Sequence, residues 1–248
     1  MKKPNFNKRH YDSIKRHLQK CAWAIEVVDA RDIQKTRIPQ LETKFLDKLT
    51  IVATKSDITK NPTTPKTKNP IFFTSSKTKK GITELKIHIK KLIEQKLKSK
   101  EPPIDIFIFG IPNVGKSSLI NSLLKKNITK TGFRSGITRG IQWINFTKDS
   151  RIVDAPGITA GKINEANLAQ FAAIDAQKIK NPFAIAKKLI EKDPQKVAVF
   201  YKVKSEQDPQ TLLENIALKR KKLLKGAEPD TDEAAKLLIR DFQKGKLN

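Results

Sequence analysis

The sequence predicts an α/β fold, in which a mostly parallel β-sheet with flanking helices is followed by a small all-α region. Four short apolar runs, at residues 22–29, 51–54, 71–75 and 104–109, contain β-branched residues. The second and third runs end in polar loops, as buried parallel strands do in α/β proteins. Helical patterns with apolar residues at steps of three and four lie among these runs. Beyond residue 161 the pattern is almost entirely helical, which predicts a separate second region.

The first third of the chain is predicted to form a basic helix, three strands and one long helix. The basic helix precedes the strand at residues 22–29, and the Pro- and Lys-rich segment "KNPTTPKTKNP" separates the strands at 51–54 and 71–75. Residues 83–98 form the long helix, and "KSKEPP" follows it as a linker. The apolar residues of the two helices are Tyr11, Ile14 and Leu18 in the first and Leu85, Ile89, Leu92 and Ile93 in the second.

The middle of the chain is predicted to be a strand, a glycine-containing loop and a helix, followed by a hairpin. The strand covers residues 104–109, and the helix begins near Ser117. Residues 141–146 and 151–154 pair as two strands, with "TKDS" as the turn between them. The apolar stripe of the helix is Leu119, Ile120, Leu123 and Leu124.

The last part of the chain is predicted to be a small helical domain, so that residues 1–162 form one domain and residues 163–248 the other. Asn181 caps a helix that has Pro182 in its first position and ends at Pro194. The segment "PQTLLENIALKRKKLLKG" is predicted to be one helix that stops at Gly226, and residues 197–203 are assigned to a helix. The last helix starts from Asp230 with Glu233 three residues on, and it ends at Gly245.

Charge indicates a polyanionic partner. The 248 residues carry a net charge of +26. Residues 1–160 hold 33 Lys and Arg against 13 Asp and Glu, a balance of +20. Such an excess favours binding to RNA, DNA or an anionic membrane surface, and charge alone does not separate these three. A lysine-rich genome is the alternative explanation. No apolar run reaches the roughly 20 residues of a membrane helix, and we expect a cytoplasmic protein without a membrane partner.

The segment "GIPNVGKSS", residues 110–118, matches the phosphate-loop pattern G-x-x-x-x-G-K-[ST] between a predicted strand and a predicted helix. Its glycines let successive backbone amides point at phosphate oxygens, and the helix N-terminus adds positive potential. Lys116 is expected to reach the β and γ phosphates, and the Ser117 hydroxyl to hold Mg²⁺. The predicted nucleotide contacts of this loop are Pro112, Asn113, Val114, Gly115, Lys116, Ser117 and Ser118.

Two further segments are typical of a magnesium-nucleotide site. "DAPG" follows a predicted strand, where Asp154 would act as a magnesium carboxylate and the Gly157 amide would contact the γ phosphate. Thr138, in "SGITRG", lies between the phosphate loop and this aspartate and would close over Mg²⁺ as part of a switch segment. Because Asp-x-Pro-Gly and Gly-flanked threonines also occur in ordinary turns and loops, a plain turn and a flexible basic loop stay open as alternatives.

"TKSD", residues 54–57, has the chemistry of a guanine reader. The Asp57 carboxylate can accept two hydrogen bonds from guanine, and the stem of Lys55 can lie along the base plane. Thr54 occupies the place usually held by asparagine. The segment "TSSKTKKG" follows the next predicted strand and would support the base. Its predicted contacts are Ser75, Ser76 and Lys77.

The predicted loops occur in a rotated order, because the guanine reader precedes the phosphate loop. In a parallel sheet all ligand loops emerge at the carboxyl ends of the strands, so the site does not depend on which loop comes first. Joining the original chain ends and opening the chain elsewhere preserves such a site.

This order, together with "VVDAR" at residues 27–31, "GIPNVGKSSLIN" and "DAPGI", resembles the circularly permuted GTPases of ribosome assembly, the YlqF/RbgA-like family. The resemblance implies a circularly permuted P-loop GTPase domain followed by a small all-α RNA-binding domain. It further implies GTP and GDP as ligands, Mg²⁺ as cofactor, and the precursor of the large ribosomal subunit with its rRNA as partner; the chain is expected to be monomeric. The candidate RNA-binding residues are Lys219, Arg220, Lys221, Lys222, Arg240, Lys244 and Lys246.

Three positions bear on the reaction that the resemblance implies. Ile158 stands where small GTPases carry the water-orienting glutamine, so slow intrinsic hydrolysis, stimulated by the ribosomal particle, is expected. His10 is the candidate for the histidine implicated in the family, with an exposed, non-catalytic histidine as the alternative. Asn113 matches the asparagine that binds K⁺ in potassium-activated relatives, with a local turn as the alternative.

Two other functions are weighed against a GTPase. An RNA-binding scaffold with a structural, rarely hydrolysed nucleotide stays open, because Ile158 lacks a hydrogen-bonding group. An ATP-driven enzyme is disfavoured by Asp57 and by the lack of any motif for a substrate domain.

Overall fold

A computed structural model describes residues 8–59, 62, 64–99, 101–125, 141–155 and 176–247, with only the backbone of residues 8–11 and 178. Within these ranges the chain divides into two compact units, Met1–Ile163 and Asn164–Asn248. None of the described helices is long and apolar enough to cross a membrane.

The first unit is built on a six-stranded sheet with helices on both faces. Its strands are β1 (Trp23–Asp29), β2 (Leu49–Thr54), β3 (Ile71–Phe73), β4 (Ile104–Phe109), β5 (Gln142–Thr147) and β6 (Ser150–Asp154). Its α-helices are α1 (Lys8–Lys20), α2 (Ile33–Thr36), α3 (Pro39–Lys44), α4 (Ile82–Leu97) and α5 (Lys116–Leu124). Short 3₁₀ turns cover Leu46–Lys48 and Ser56–Ile58.

The strands lie in the order β3-β2-β1-β4-β6-β5. All neighbouring strands are parallel except β5, which pairs antiparallel with β6 through a tight turn. The mostly parallel sheet predicted from the apolar runs is therefore confirmed. Because β1, β2, β3, β4 and β6 run in the same direction, the loops that follow them emerge at one edge of the sheet.

Apolar packing fixes this unit on both faces. The face of α1 that carries Ile14 and Leu18 packs on β4 and on Val153 of β6, within one core cluster. Residues Leu85, Ile89, Leu92 and Ile93 of α4 are buried, as the three- and four-residue steps predict. The central strands β1 and β2 are buried over nearly their whole length, because helices cover both faces of a parallel sheet.

The described part of the second unit is helical, as predicted. Its helices are α6 (Pro182–Ile190), α7 (Pro194–Tyr201), α8 (Pro209–Lys219) and α9 (Thr231–Gln243), preceded by a 3₁₀ turn at Ala176–Lys178. Asn181 and Asp230 cap α6 and α9 through hydrogen bonds from the amides of Ala184 and Glu233. Residues up to Tyr201 in the segment 197–203 are helical, which confirms that assignment.

The predicted end of α8 at Gly226 is wrong. The helix stops at Lys219, since Lys221 adopts a left-handed conformation with φ +53° and the Lys222 amide donates to the Ala217 carbonyl at 2.8 Å. This is the Schellman arrangement, which usually carries glycine at the left-handed position. Gly226 instead lies in a turn that is closed by the bridge between Leu223 and Pro229.

Candidate nucleotide site

The phosphate loop leaves β4 and folds closely against its neighbours. Gly110 has φ +150°, and a Cβ atom there would lie 2.3 Å from the Val27 carbonyl oxygen of β1. Gly115 has φ +108°, and a Cβ atom there would lie 3.2 Å from the Thr54 hydroxyl. Both positions therefore require glycine, for conformation and for space. The loop ends at the N-terminus of α5, which begins at Lys116.

Lys116 points into the phosphate loop. Its ammonium donates to the backbone carbonyls of Gly110 at 3.0 Å and Ile111 at 2.9 Å, and the residue is 7% exposed. Burial lowers the pKa of Lys116 to about 8, against the opposing effect of the Asp154 carboxylate. The lysine thus holds its ammonium, a strong hydrogen-bond donor, against the backbone of the loop at the N-terminus of α5. Loops of this kind at helix N-termini bind phosphate.

Asp154, at the end of β6, is buried without a hydrogen bond. It is 1% exposed, and neither carboxylate oxygen has a hydrogen-bond partner in the described structure. Burial raises the pKa of Asp154 to about 6, although Lys116 acts in the opposite direction. An unpaired buried carboxylate costs free energy, and a bound cation would remove that cost. The Asp154 carboxylate and the Ser117 hydroxyl of the loop are oxygen ligands of the kind that Mg²⁺ prefers, so the residues present fit this ion.

The loop after β2 contacts the phosphate loop directly. The Thr54 hydroxyl lies 3.1 Å from the Val28 carbonyl oxygen and also contacts the carbonyl of Val114. The Lys55 ammonium donates to the Asn113 carbonyl at 2.8 Å. Two residues of "TKSD" therefore hold the backbone of the phosphate loop, although 58 positions separate Lys55 from Asn113 in sequence.

Ion pairs around the buried Asp29 carboxylate hold Lys55 in place. Asp29, at the end of β1, is fully buried and accepts hydrogen bonds from Lys55 at 2.9 Å and from the Arg31 guanidinium at 2.7 and 2.9 Å. Burial alone would raise the pKa of Asp29, but Lys55 and Arg31 outweigh it and lower this pKa to about 2. In the sequence, "VVDAR" is only a mark of resemblance, and it does not predict this role of Asp29. An acidic residue at the end of a buried strand, with arginine two residues later, was the available signal.

The loops that follow β2 and β3 are joined by a backbone hydrogen bond. The Ser56 amide donates to the Thr74 carbonyl at 3.1 Å, and the Ser75 hydroxyl accepts from the Thr78 amide at 3.1 Å. Asp57 lies in the short 3₁₀ turn of this region and is exposed. Ser75 is buried, Ser76 is half-buried and Lys77 is exposed. The loops after β2 and β3 thus form one edge of the site, with an exposed carboxylate on it.

Some predicted site residues lie outside the described part of the chain. These are Thr138 and Gly157, together with Ile158. His10 belongs to α1, in which only its backbone is described. Within the phosphate loop, Pro112 and Val114 are buried, Asn113 has a left-handed backbone with φ +60°, and Ser117 and Ser118 are half-buried on the first turn of α5.

The candidate RNA-binding residues lie at the end of α8 and around the end of α9. Those that are exposed are Lys219, Arg220, Lys221, Lys244 and Lys246, whereas Lys222 and Arg240 are half-buried. Lys246 donates to Asp241 at 2.8 Å, and the Arg220 guanidinium lies 5.2 Å from the centre of the Tyr201 ring. Three of these cations, at 219–221, follow one another on the surface of the second unit.

Comparisons with known proteins agree with this geometry. A family model described as 50S ribosome-binding GTPase matches residues 105–220. Ribosome biogenesis GTPase A of Bacillus licheniformis is 30% identical over 244 residues, which cover 90% of this chain and 86% of that protein. An uncharacterized GTP-binding protein of Methanocaldococcus jannaschii is 33% identical over 246 residues, and the match covers 95% of this chain but only 65% of that protein.

A solved structure has the same fold. The crystal structure of GNP-bound YlqF from T. maritima superimposes with a TM-score of 0.66 at 24% identity, covering 96% of this chain and 94% of that one. In the present structure β2 and β3, which are followed by "TKSD" and "TSSKTKKG", precede β4, which is followed by the phosphate loop. This is the permuted order. Because the Bacillus relative matches over most of both sequences, the chain belongs to the ribosome biogenesis GTPase A family, the YlqF/RbgA-like circularly permuted P-loop GTPases.

Proposed function

We propose that this protein binds GTP with Mg²⁺ at the carboxyl edge of its sheet, hydrolyses it to GDP, and acts in the maturation of the large ribosomal subunit. The observation that carries the proposal is the pair of contacts from Thr54 and Lys55 to the phosphate-loop carbonyls of Val114 and Asn113. They support the proposal because they hold the "TKSD" segment against the phosphate loop.

Each loop has a distinct task in this proposal. Lys116 and the backbone amides of the phosphate loop bind the β and γ phosphates, while Asp57 accepts hydrogen bonds from guanine. Ser117 and Asp154 hold Mg²⁺, which neutralises phosphate charge when bound. The remaining proposed contacts are Ser75, Ser76 and Lys77 at the base, and Thr138 and Gly157 at the γ phosphate.

Hydrolysis is proposed to be slow in the isolated protein. Ile158 has no group that can orient the attacking water, so the ribosomal particle is expected to complete the site. Asn113, which has a left-handed backbone conformation in the phosphate loop, is the proposed ligand of an activating K⁺ ion. His10 is the proposed candidate for positioning water from outside the P-loop motifs.

The ribosomal partner is supported by charge and by relatives. Two named relatives, both called ribosome biogenesis GTPase A, match most of this chain, and the net charge of +26 suits rRNA. We propose that the helical unit contributes Lys219 and Lys221 to phosphate contacts, and that the protein works as a cytoplasmic monomer. Replacing both lysines by alanine should reduce the slope of log affinity against log salt by roughly 1.4 to 1.8 for RNA.

One experiment separates a turning-over GTPase from an RNA-binding scaffold. The GTPase rate is measured for the protein alone in K⁺ and in Na⁺, and again with isolated large ribosomal subunits. We expect a low basal rate that rises with K⁺ and rises further with subunits. Tight guanine-nucleotide binding with no stimulation in any of these conditions would favour the scaffold, and absence of guanine-nucleotide binding would contradict both functions.

A further inference from the structure

An exposed tryptophan lies on the outer strand of the sheet. Trp143 of β5 is 54% exposed. Its register partner on β6 is Val153, which is 3% exposed and belongs to the apolar cluster beneath α1. The apolar cluster extends to the partly buried Ile141, two residues before Trp143, and the indole lies beyond it. A large aromatic ring that is left in solvent on a regular strand suggests a contact with another molecule.

On the side of Trp143 that faces away from Ile141, the neighbouring residues are polar. Asn145, two residues along the same face, is exposed and lies opposite Arg151 in the register. The Arg151 guanidinium bonds to Asp105 at 2.9 and 3.2 Å, yet its side chain stays 36% exposed. The intervening Ile144 is buried on the opposite face. The core of a protein-protein interface is apolar and depleted of charged residues, whereas Asn145 and Arg151 on this strip are polar or charged.

The exposed indole of Trp143 lies two residues from the Asn145 amide, and Arg151 lies opposite Asn145 on the neighbouring strand. This combination has the chemistry of a base-binding position. Every base has a π-face that stacks on an aromatic ring, and stacking of this kind depends little on sequence. An asparagine amide can bond to the edge of a base. Unpaired bases in single-stranded RNA offer both surfaces, whereas a duplex hides them.

The charges of this strip do not by themselves attract RNA. Arg151 and the exposed Lys148 are balanced by Asp105 and Asp149, so the long-range attraction must come from the +20 balance of residues 1–160. Phosphate attraction and base contact are therefore carried by different residues. We propose that Trp143 is a stacking platform for an unpaired base of single-stranded RNA. This inference rests on the proposed RNA partner and extends it to a surface on the first unit.

The separation of roles gives a sharp test by salt titration. Affinity for a short oligouridylate is measured at several salt concentrations for the wild-type protein and for Trp143→Ala and Trp143→Phe. Loss of stacking should weaken binding about tenfold in Trp143→Ala without changing the salt slope, because no phosphate contact is lost. Trp143→Phe should retain most of the affinity. Val199→Ala, at a 77% exposed apolar position of α7, is the matched control and should change nothing.

Fluorescence supplies an independent reading, because the chain has only two tryptophans. Trp23 is half-buried and donates to the Thr50 hydroxyl at 2.9 Å, so Trp23→Phe leaves Trp143 as the single reporter. Oligouridylate should quench this signal, whereas heparin, a polyanion without bases, should not. Equal quenching by both would mean a purely ionic effect and would overturn the proposal.

The outcomes also distinguish this inference from the proposed function. If the wild-type protein binds guanine nucleotide but no RNA, the proposed RNA partner fails and this inference fails with it. If the wild-type protein binds RNA and Trp143→Ala binds equally well with unchanged salt slope, only the stacking platform is wrong. Unchanged RNA affinity combined with weaker binding of Trp143→Ala to ribosomal proteins would reassign the surface to a protein partner.

Discussion

The ammonium of Lys55 lies between the carboxylate of Asp29, at 2.9 Å, and the backbone carbonyl of Asn113, at 2.8 Å. Burial lowers the pKa of Lys55, while Asp29 acts to raise it. A partly buried cation of this kind is stabilised by its anionic partner. Asp29 at the end of β1 therefore holds Lys55 in the loop after β2, and Lys55 in turn holds the phosphate loop.

Removing the Asp29 charge should loosen this connection. In Asp29→Asn, Lys55 and Arg31 lose their shared anion, so we expect guanine-nucleotide affinity to fall about tenfold or more. The measurement is equilibrium binding of a fluorescent GDP analogue. Asp105→Asn is the matched control, because it breaks a partly exposed ion pair with Arg151 away from the loops. Equal affinity losses in the two variants would show that Asp29 has no special link to the site.

Replacing Asp154 should stabilise the nucleotide-free protein and at the same time impair the site. The pKa of Asp154 is raised from 3.8 to about 6, so the folded state binds its proton more tightly than the unfolded state. The contribution of Asp154 to stability should therefore fall by about 2 to 3 kcal/mol as pH rises from about 4 to about 6, and this contribution should not change further above that range. Asp154→Asn should lack this fall, measured by urea unfolding across pH.

Magnesium gives the complementary result for the same variant. With GTP present, Mg²⁺ should raise nucleotide affinity in the wild-type protein and have little effect in Asp154→Asn, since the carboxylate oxygens are missing. Chelation by EDTA should lower the affinity of the wild-type protein only. A wild-type response in the variant would remove Asp154 from the proposed magnesium site.

Asp57→Asn should change base preference without disturbing the fold. The carboxylate is exposed, so its loss should cost little stability. Loss of two charge-assisted hydrogen bonds should weaken GTP binding about a hundredfold, while binding of xanthosine triphosphate should improve. Competition between the two nucleotides measures the change. Unaltered guanine preference would show that another residue reads the base.

Thr54→Val tests the second contact to the phosphate loop. Valine has nearly the same shape but lacks the hydroxyl, so the buried carbonyls of Val28 and Val114 lose a partner. We expect a loss of about 1 to 2 kcal/mol in the free energy of unfolding and weaker nucleotide binding. Thr43→Val, whose hydroxyl bonds to a carbonyl at the surface of α3, should cost much less. Similar losses in both variants would contradict the special role of Thr54.

Local sequence signals were sufficient where the chain satisfies its own backbone. The caps at Asn181 and Asp230 lie within three residues of the amides they bind, and the phosphate loop carries its glycines at the two positions where a Cβ atom would collide or crowd. The end of α8 was missed because Lys221 takes the left-handed position that glycine usually marks. The chain after Lys221 continues into the bridge between Leu223 and Pro229, a contact beyond the helix itself.

The sequence by itself determined most of the strand and helix pattern, the glycine positions of the phosphate-loop motif and the rotated order of the motifs, because these follow from spacing and side-chain chemistry along the chain. Only the tertiary structure decided that Asp29, Lys55 and Asn113 form one chain of contacts, that Asp154 is buried with no hydrogen bond from the described residues, and that Trp143 is left exposed. Burial and ion pairing are set by which strands become neighbours, and that order is fixed by the packing of both sheet faces rather than by any local stretch of residues.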